Sequence, residues 1–126
     1  SDNAERNEKA GMQGHMDRID RIKETSAVLA AQDSIKDEEH KWLKLAQQFC
    51  QHLISRLGSR LGGDLAELDE LAEQGDSTAY LILRAKAALA QVESTMSLTD
   101  RNDSKENIRS WATLRQFSSY PAYSIS

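Results

Sequence analysis

The feature that most constrains the fold is the apolar period of residues 34–61. With about 100° of turn per residue, the apolar side chains from Trp42 onward cover roughly one half of a helix. Polar side chains fill the other half. A face this wide needs more than one neighbouring helix to cover it, so the period predicts a long helix inside a bundle. The core positions predicted first are Trp42, Phe49 and Leu53 here and Leu83 in a later segment.

A second segment, residues 76–98, is apolar nearly all round between residues 78 and 92. Helices of this kind are usually central in their domain. The sequence has one proline, Pro121, which leaves nearly all of its 126 residues free to be helical. These patterns predict an all-α fold. We expect a single-domain bundle of about four to five helices, with a central antiparallel pair at about 33–61 and 76–98.

The remaining segments divide the chain around this pair. Residues 1–11 have no period and predict a disordered N-terminal end. A narrow apolar stripe predicts a helix over residues 12–31, and a short acidic helix is expected at residues 64–74. A last helix closes a bundle domain of residues 12–118. The final residues, 119–126, predict an extended tail.

Capping residues indicate where these helices begin and end. Side chains that cap helices predict starts at Asp33 or Ser34 and at Asp76 or Ser77. Three acidic side chains follow the first of these starts, where the helix dipole favours them. Glycines are expected to end the second and third helices, at Gly58, Gly62 and Gly63 and at Gly75.

An alternative concerns the junction between the first two helices. No Gly or Pro separates residues 12–31 from residues 34–61, so the two helices could form one continuous rod. A rod cannot bury an apolar stripe on itself. This alternative therefore predicts a homodimer through the 12–31 helix, paired as in a coiled coil.

Composition narrows the compartment and the general class of partner. The net charge is −4, which does not favour nucleic acid as a partner. A single cysteine, Cys50, rules out an internal disulfide and is typical of a reducing compartment. No apolar run approaches the roughly 20 residues of a membrane span. The expected location is the cytoplasm, with an effector secreted without a cleaved signal peptide as the alternative.

Residues with catalytic or metal-binding chemistry are present but do not form a motif. Asp37 and His40 make one imperfect copy of a pair that a di-metal bundle needs twice. Cys50 and His52 would point about 200° apart on a helix, so they cannot act as nucleophile and base. Cys50 lies on the apolar face and is expected in the core. The sequence predicts no catalytic, cofactor-binding or metal site.

Charge is segregated along the chain. Residues 42–62 contain basic side chains and no acid, whereas residues 63–76 contain six acidic side chains and no base. An acidic helix can attract a basic protein partner and speed their encounter. The candidate contacts are Glu67, Glu70 and Glu73. The alternative is a solvated face, partly neutralised by Arg56 and Arg60 across the Gly62-Gly63 turn.

The C-terminal region adds two further candidates. Tyr120 and Tyr123 lie on the predicted tail, where aromatic side chains could dock on a partner. The alternative, which is the expected one, is that the tail packs back on the core of its own chain. Basic residues surround Trp111 and raise nucleic-acid binding as an alternative; these are Arg101, Lys105, Arg109 and Arg115.

The function hypothesis follows from these features. We expect a non-enzymatic helical module, of an adaptor, regulator, chaperone or effector type, that binds another protein through its helix faces. A small nucleic-acid-associated regulator is the second hypothesis. A small helical enzyme with a site assembled from scattered polar residues is the third.

Overall fold

The computed structural model describes residues 2–61 and 66–98, and these residues form helices joined by turns, with no strand among them. The helices are α1 (Asp2–Ala30), α2 (Asp37–Arg60), α3 (Leu68–Glu73) and α4, which covers residues 77–98. The all-α bundle is confirmed. The predicted last helix and the tail of residues 119–126 lie outside the described residues.

Side-chain contacts show that α1 and α2 are antiparallel. The guanidinium of Arg18 lies 4.2 Å from the centre of the Phe49 ring. Further along α1, Ile22 lines a groove together with Trp42, which lies earlier in α2. Residue numbers therefore rise along α1 as they fall along α2.

Side-chain contacts between α1 and α4 show that these two helices run in the same direction. Arg84 forms an ion pair with Asp20, and the Thr95 hydroxyl donates to the backbone carbonyl of Ser26 at 3.1 Å. Residue numbers rise together, so α1 and α4 are parallel. Because α1 is antiparallel to α2, α4 must also be antiparallel to α2, as predicted for the central pair.

α4 is the helix that joins the bundle, since it contacts α1, α2 and α3. Its buried face alternates small and branched side chains, and alanine lets a neighbouring backbone approach closely. The fully buried apolar residues of α4 are Ala79, Leu81, Ile82, Ala85, Ala88 and Val92. The opposite face is open to solvent, for example at Tyr80, whose side chain is 46% exposed. The helix is central, but it is not covered all round.

α1 buries its narrow stripe inside the same chain. Ile19, Ile22 and Leu29 are buried in the common core, and Met12 and Met16 pack against it. Residues 31–36 are not helical, so the continuous rod is wrong. The stripe of α1 is already covered, and the rod-based reason for a homodimer through the 12–31 helix no longer applies.

The corner between α1 and α2 has no glycine or proline. Residues 32–34 are polar and exposed, so the chain has nothing to bury until Ile35, which packs against the core. The N-cap of α2 is Lys36, not Asp33 or Ser34. The Lys36 backbone N–H donates to the Glu39 carboxylate at 3.0 Å, which satisfies one of the amides that a helix start leaves free. The predicted acidic first turn is confirmed.

α1 begins earlier than predicted. The helix is already formed at Asp2, so the disordered end expected over residues 1–11 is corrected for residues 2–11. The described side chains of this segment are exposed, so its helical conformation is not stabilised by burial against the core. The segment lacks proline and is rich in alanine, glutamate, lysine and arginine. It therefore extends a helix that the packed part of α1 has already nucleated.

Two boundaries on either side of residue 62 also differ from prediction. Gly58 is buried inside α2 and does not end it. The helix ends at Arg60, where the backbone N–H of Leu61 donates to the carbonyl of Leu57 at 3.2 Å. α3 begins at Leu68, four residues after the predicted start, because residues 66–67 form a turn. Gly62 and Gly63 lie outside the described residues.

The junction of α3 and α4 confirms two predictions. Gly75 has a positive φ of 94°, which glycine adopts without a steric penalty. The backbone N–H of Gly75 donates to Ala72, and that of Asp76 donates to Leu71, each at 3.0 Å, as in a Schellman motif. The Asp76 carboxylate then accepts the Ala79 N–H at 2.9 Å and caps α4.

The predicted core residues separate into two groups. Leu53 is buried, as expected. Trp42, Phe49 and Leu83 are only partly buried, because they lie at the edges of the apolar faces. The fully buried positions are others, including Leu43, Ile82 and Cys50.

This core makes a stability prediction. Ile82→Ala should lower the free energy of unfolding by about 2–5 kcal/mol, because it removes a fully buried branched side chain. Leu45→Ala is the matched control, since Leu45 is 64% exposed, and it should change the free energy by less than about 0.5 kcal/mol. Urea denaturation followed by circular dichroism measures both. Equal effects of the two substitutions would show that the buried face of α4 is wrongly placed.

Candidate functional site

The predicted acidic contact lies on α3 and the turn before it. Leu68 is buried, and Leu71 and Ala72 pack against the core, so one side of α3 faces the bundle. The side chains of Glu67, Glu70 and Glu73 are all exposed. Glu67 is the N-cap of α3, and Glu70 and Glu73 lie within it. At three-residue spacing successive side chains are about 60° apart on a helix, so the three cover a stripe roughly 120° wide. We call this stripe the acidic face.

The acidic face is not neutralised by the cations that the sequence suggested. Arg56 and Arg60 are exposed, and neither forms an ion pair with a described carboxylate of α3. Within residues 2–61 and 66–98, the ion pair found within 4.0 Å is Asp20–Arg84. Exposed carboxylates without an ion pair fit both alternatives that the sequence offers, a partner contact and a solvated face.

The seam between α1 and α2 holds a groove that the sequence did not predict. Its volume is about 270 Å³. Arg18, Arg21, Ile22 and Thr25 of α1 and Trp42 of α2 line it. We call it the α1–α2 groove. Helical spacing does place the four α1 residues near one another, but their proximity to Trp42 depends on how the two helices pack.

Two guanidinium groups give this groove its chemical character. The guanidinium carbon of Arg18 lies 4.2 Å from the centre of the Phe49 ring, a cation–π contact, and its N–H groups donate to no described residue. The His15 ring lies on the same phenyl group, with 6.3 Å between ring centres. Arg18 and Arg21 are both exposed, and neither forms an ion pair with a described residue. The groove thus combines free cationic donors with an aromatic wall.

Another cation, Arg84, is already engaged. It pairs with Asp20, its guanidinium donates to the Tyr80 hydroxyl at 3.4 Å, and it approaches the Met16 sulfur at 4.0 Å. The hydrogen bond to Asp20 raises the pKa of Arg84. This cluster joins α1 to α4 at the surface.

The candidate chemical residues do not come together. Cys50 is fully buried, as predicted, and burial raises the pKa of its thiol to about 11. His52 is exposed on the other side of α2. His40 is partly buried, and its Nδ1 has no hydrogen-bond partner in the described part of the chain. Asp37 is exposed. No group of three or more His, Cys, Asp or Glu side chains able to hold a metal occurs among the described residues.

The predicted C-terminal sites lie outside the described residues. This applies to Tyr120 and Tyr123 and to the cationic group Arg101, Lys105, Arg109 and Arg115. In the part of the chain that is described, no helix combines the length and the apolar character needed to cross a membrane. No protein-family model, curated protein or solved structure matches this chain.

The buried thiol predicts a pH dependence. An unfolded cysteine loses its proton near pH 9, whereas Cys50 in the folded state keeps it until about pH 11. Between these values the folded state binds more protons, so stability falls as the pH rises. The decrease attributable to Cys50 should reach at most about 2–3 kcal/mol, at about 1.4 kcal/mol per unit.

Urea denaturation of the wild type and of Cys50→Ala at pH 7, 9, 10 and 11 measures this effect. The variant serves as the control for lysine and tyrosine titration, which both proteins share. The difference in stability between them should narrow above pH 9. A constant difference across this range would mean that solvent reaches the thiol in the folded protein.

Proposed function

We propose that this chain is a non-enzymatic helical module that binds a protein partner through the acidic face of α3. The observation that carries the proposal is the exposure of Glu67, Glu70 and Glu73 without a cationic partner among the described residues. Unpaired carboxylates that share one stripe form a local negative field. Such a field suits a basic protein surface better than a neutral one.

The packing of α3 supports the proposal. Leu68 anchors the helix in the core, while the turn at Gly75 and the Asp76 cap tie its end to α4. A short helix held in this way presents its carboxylates without a large loss of backbone freedom on binding. Ordering that precedes binding reduces the entropic penalty of association.

The partner should carry a cluster of lysine or arginine side chains. Charges at the rim of an interface mainly change the association rate, and their effect weakens with salt. Binding should therefore be faster at low ionic strength.

Charge reversal tests the acidic face. The triple variant Glu67→Lys, Glu70→Lys, Glu73→Lys should capture at least about tenfold less of its partner at 0.15 M salt, because like charges then meet. The measurement is affinity capture on the immobilised chain from an extract of the native host, with quantitative mass spectrometry.

The matched control is Asp17→Lys, Glu24→Lys, Glu93→Lys, which changes the net charge equally at exposed positions outside α3. It should retain the partner. Both variants should melt within a few degrees of the wild type, since surface substitutions have small effects. Equal capture by the acidic-face variant and the control would remove the proposal.

A further inference from the structure

We infer that the α1–α2 groove is a docking site for an acidic segment of a partner protein that carries an apolar side chain. The carboxylates would pair with Arg18 and Arg21, and the apolar side chain would lie against Trp42 and Ile22. This inference does not rest on the acidic face of α3, because it concerns another surface with the opposite charge.

The two arginines supply the specificity for carboxylates. A guanidinium donates two parallel hydrogen bonds to one carboxylate, and this geometry is favoured over a single point contact. The cation–π contact with Phe49 keeps the Arg18 guanidinium beside the groove before any ligand arrives. Arg21 lies three residues further along the same helix, so both side chains reach the same groove. Neither is neutralised by a described acid.

The groove also has an apolar side. Trp42 is only partly buried, although it packs against the core. One turn further along α2, Leu45 is 64% exposed and extends the apolar surface next to the groove. A space of about 270 Å³ accommodates one or two side chains but not a folded domain. We therefore take as occupant a linear segment, which can supply an apolar side chain and neighbouring carboxylates together.

Nucleic acid fits this surface less well. Asp17, Asp20 and Glu24 lie on the same two turns of α1 as the arginines. These carboxylates repel a continuous chain of phosphates, whereas a short segment can direct single carboxylates at the arginines alone. The net charge of −4 adds to the repulsion of a polyanion.

The acidic face of a second copy also fits less well. Leu68 of α3 is buried in its own core, and Leu71 packs against it. α3 therefore has no free leucine to place against Trp42. A segment from a different protein can place carboxylates against the arginines and an apolar side chain against Trp42 at the same time.

The test uses the full chain and labelled peptides, Ac-GSEXEGS-NH2, in which X is Leu, Phe or Trp and the two glutamates match the two arginines of the groove. Fluorescence anisotropy should give a dissociation constant of about 100 µM or tighter for at least one of them. Replacing X by Gly, or all glutamates by glutamines, should weaken binding at least about tenfold, because each change removes one half of the contact.

The variants locate the site. Arg21→Glu and the double variant Arg18→Glu, Arg21→Glu should each weaken binding about tenfold or more. Arg21 is exposed, so its single variant keeps the fold, which circular dichroism verifies. Lys44→Glu, Arg56→Glu is the matched control, with exposed cations outside the groove and the same change of charge as the double variant. It should bind within about twofold of the wild type.

Several outcomes would overturn the inference. One is that none of the three peptides binds at 1 mM, and another is that the arginine variants bind as tightly as the control. Tighter binding of a ten-residue oligothymidylate through the same arginines would assign the groove to nucleic acid. Self-association that depends on Arg18 and Arg21 would assign it to a second copy. The triple lysine variant of α3 should leave peptide binding unchanged, which separates this test from that of the proposed function.

Discussion

The fold depends on the buried face of α4. This helix contacts each of the other three, and its alanines and branched residues fill the space between α1 and α2. The longest apolar face in the sequence belongs to α2, but α2 alone cannot close the core. α1 completes it with Ile19, Ile22 and Leu29. Each of the three long helices therefore packs against the other two. The wide apolar face of α2 and the narrow apolar stripe of α1 are both buried within one chain as a result.

The sequence predicted those parts of the fold that local periodicity encodes. The helical class, the antiparallel pair and the junction at Gly75 and Asp76 follow from residue spacing and turn chemistry. The start of α1 was missed because an exposed segment can remain helical once the packed part is formed. The corner at residues 31–36 was uncertain because polar residues, not a glycine or proline, interrupt the helix there.

The two surfaces differ in how far the sequence could show them. The exposure of Glu67, Glu70 and Glu73 follows from the leucines on the opposite side of the same short helix. The α1–α2 groove depends on Arg18 and Trp42, which are 24 positions apart and meet only when the helices pack. Phe49 was predicted in the core, but at the edge of α2 it instead supports Arg18. The contact between the Arg18 guanidinium and the Phe49 ring exists only once α1 and α2 have packed together.

The parallel arrangement of α1 and α4 has a consequence for folding. The contacts that join them, Arg84 to Asp20 and Thr95 to Ser26, span 64 and 69 residues. A bundle in which every pair of neighbours is adjacent in sequence closes only short loops. Here the chain must close a long loop before α1 and α4 can meet, and the entropy of that closure slows folding. The antiparallel helices α1 and α2 are joined by residues 31–36 and close a much shorter loop, so the contact between α1 and α4 is the costlier one to close.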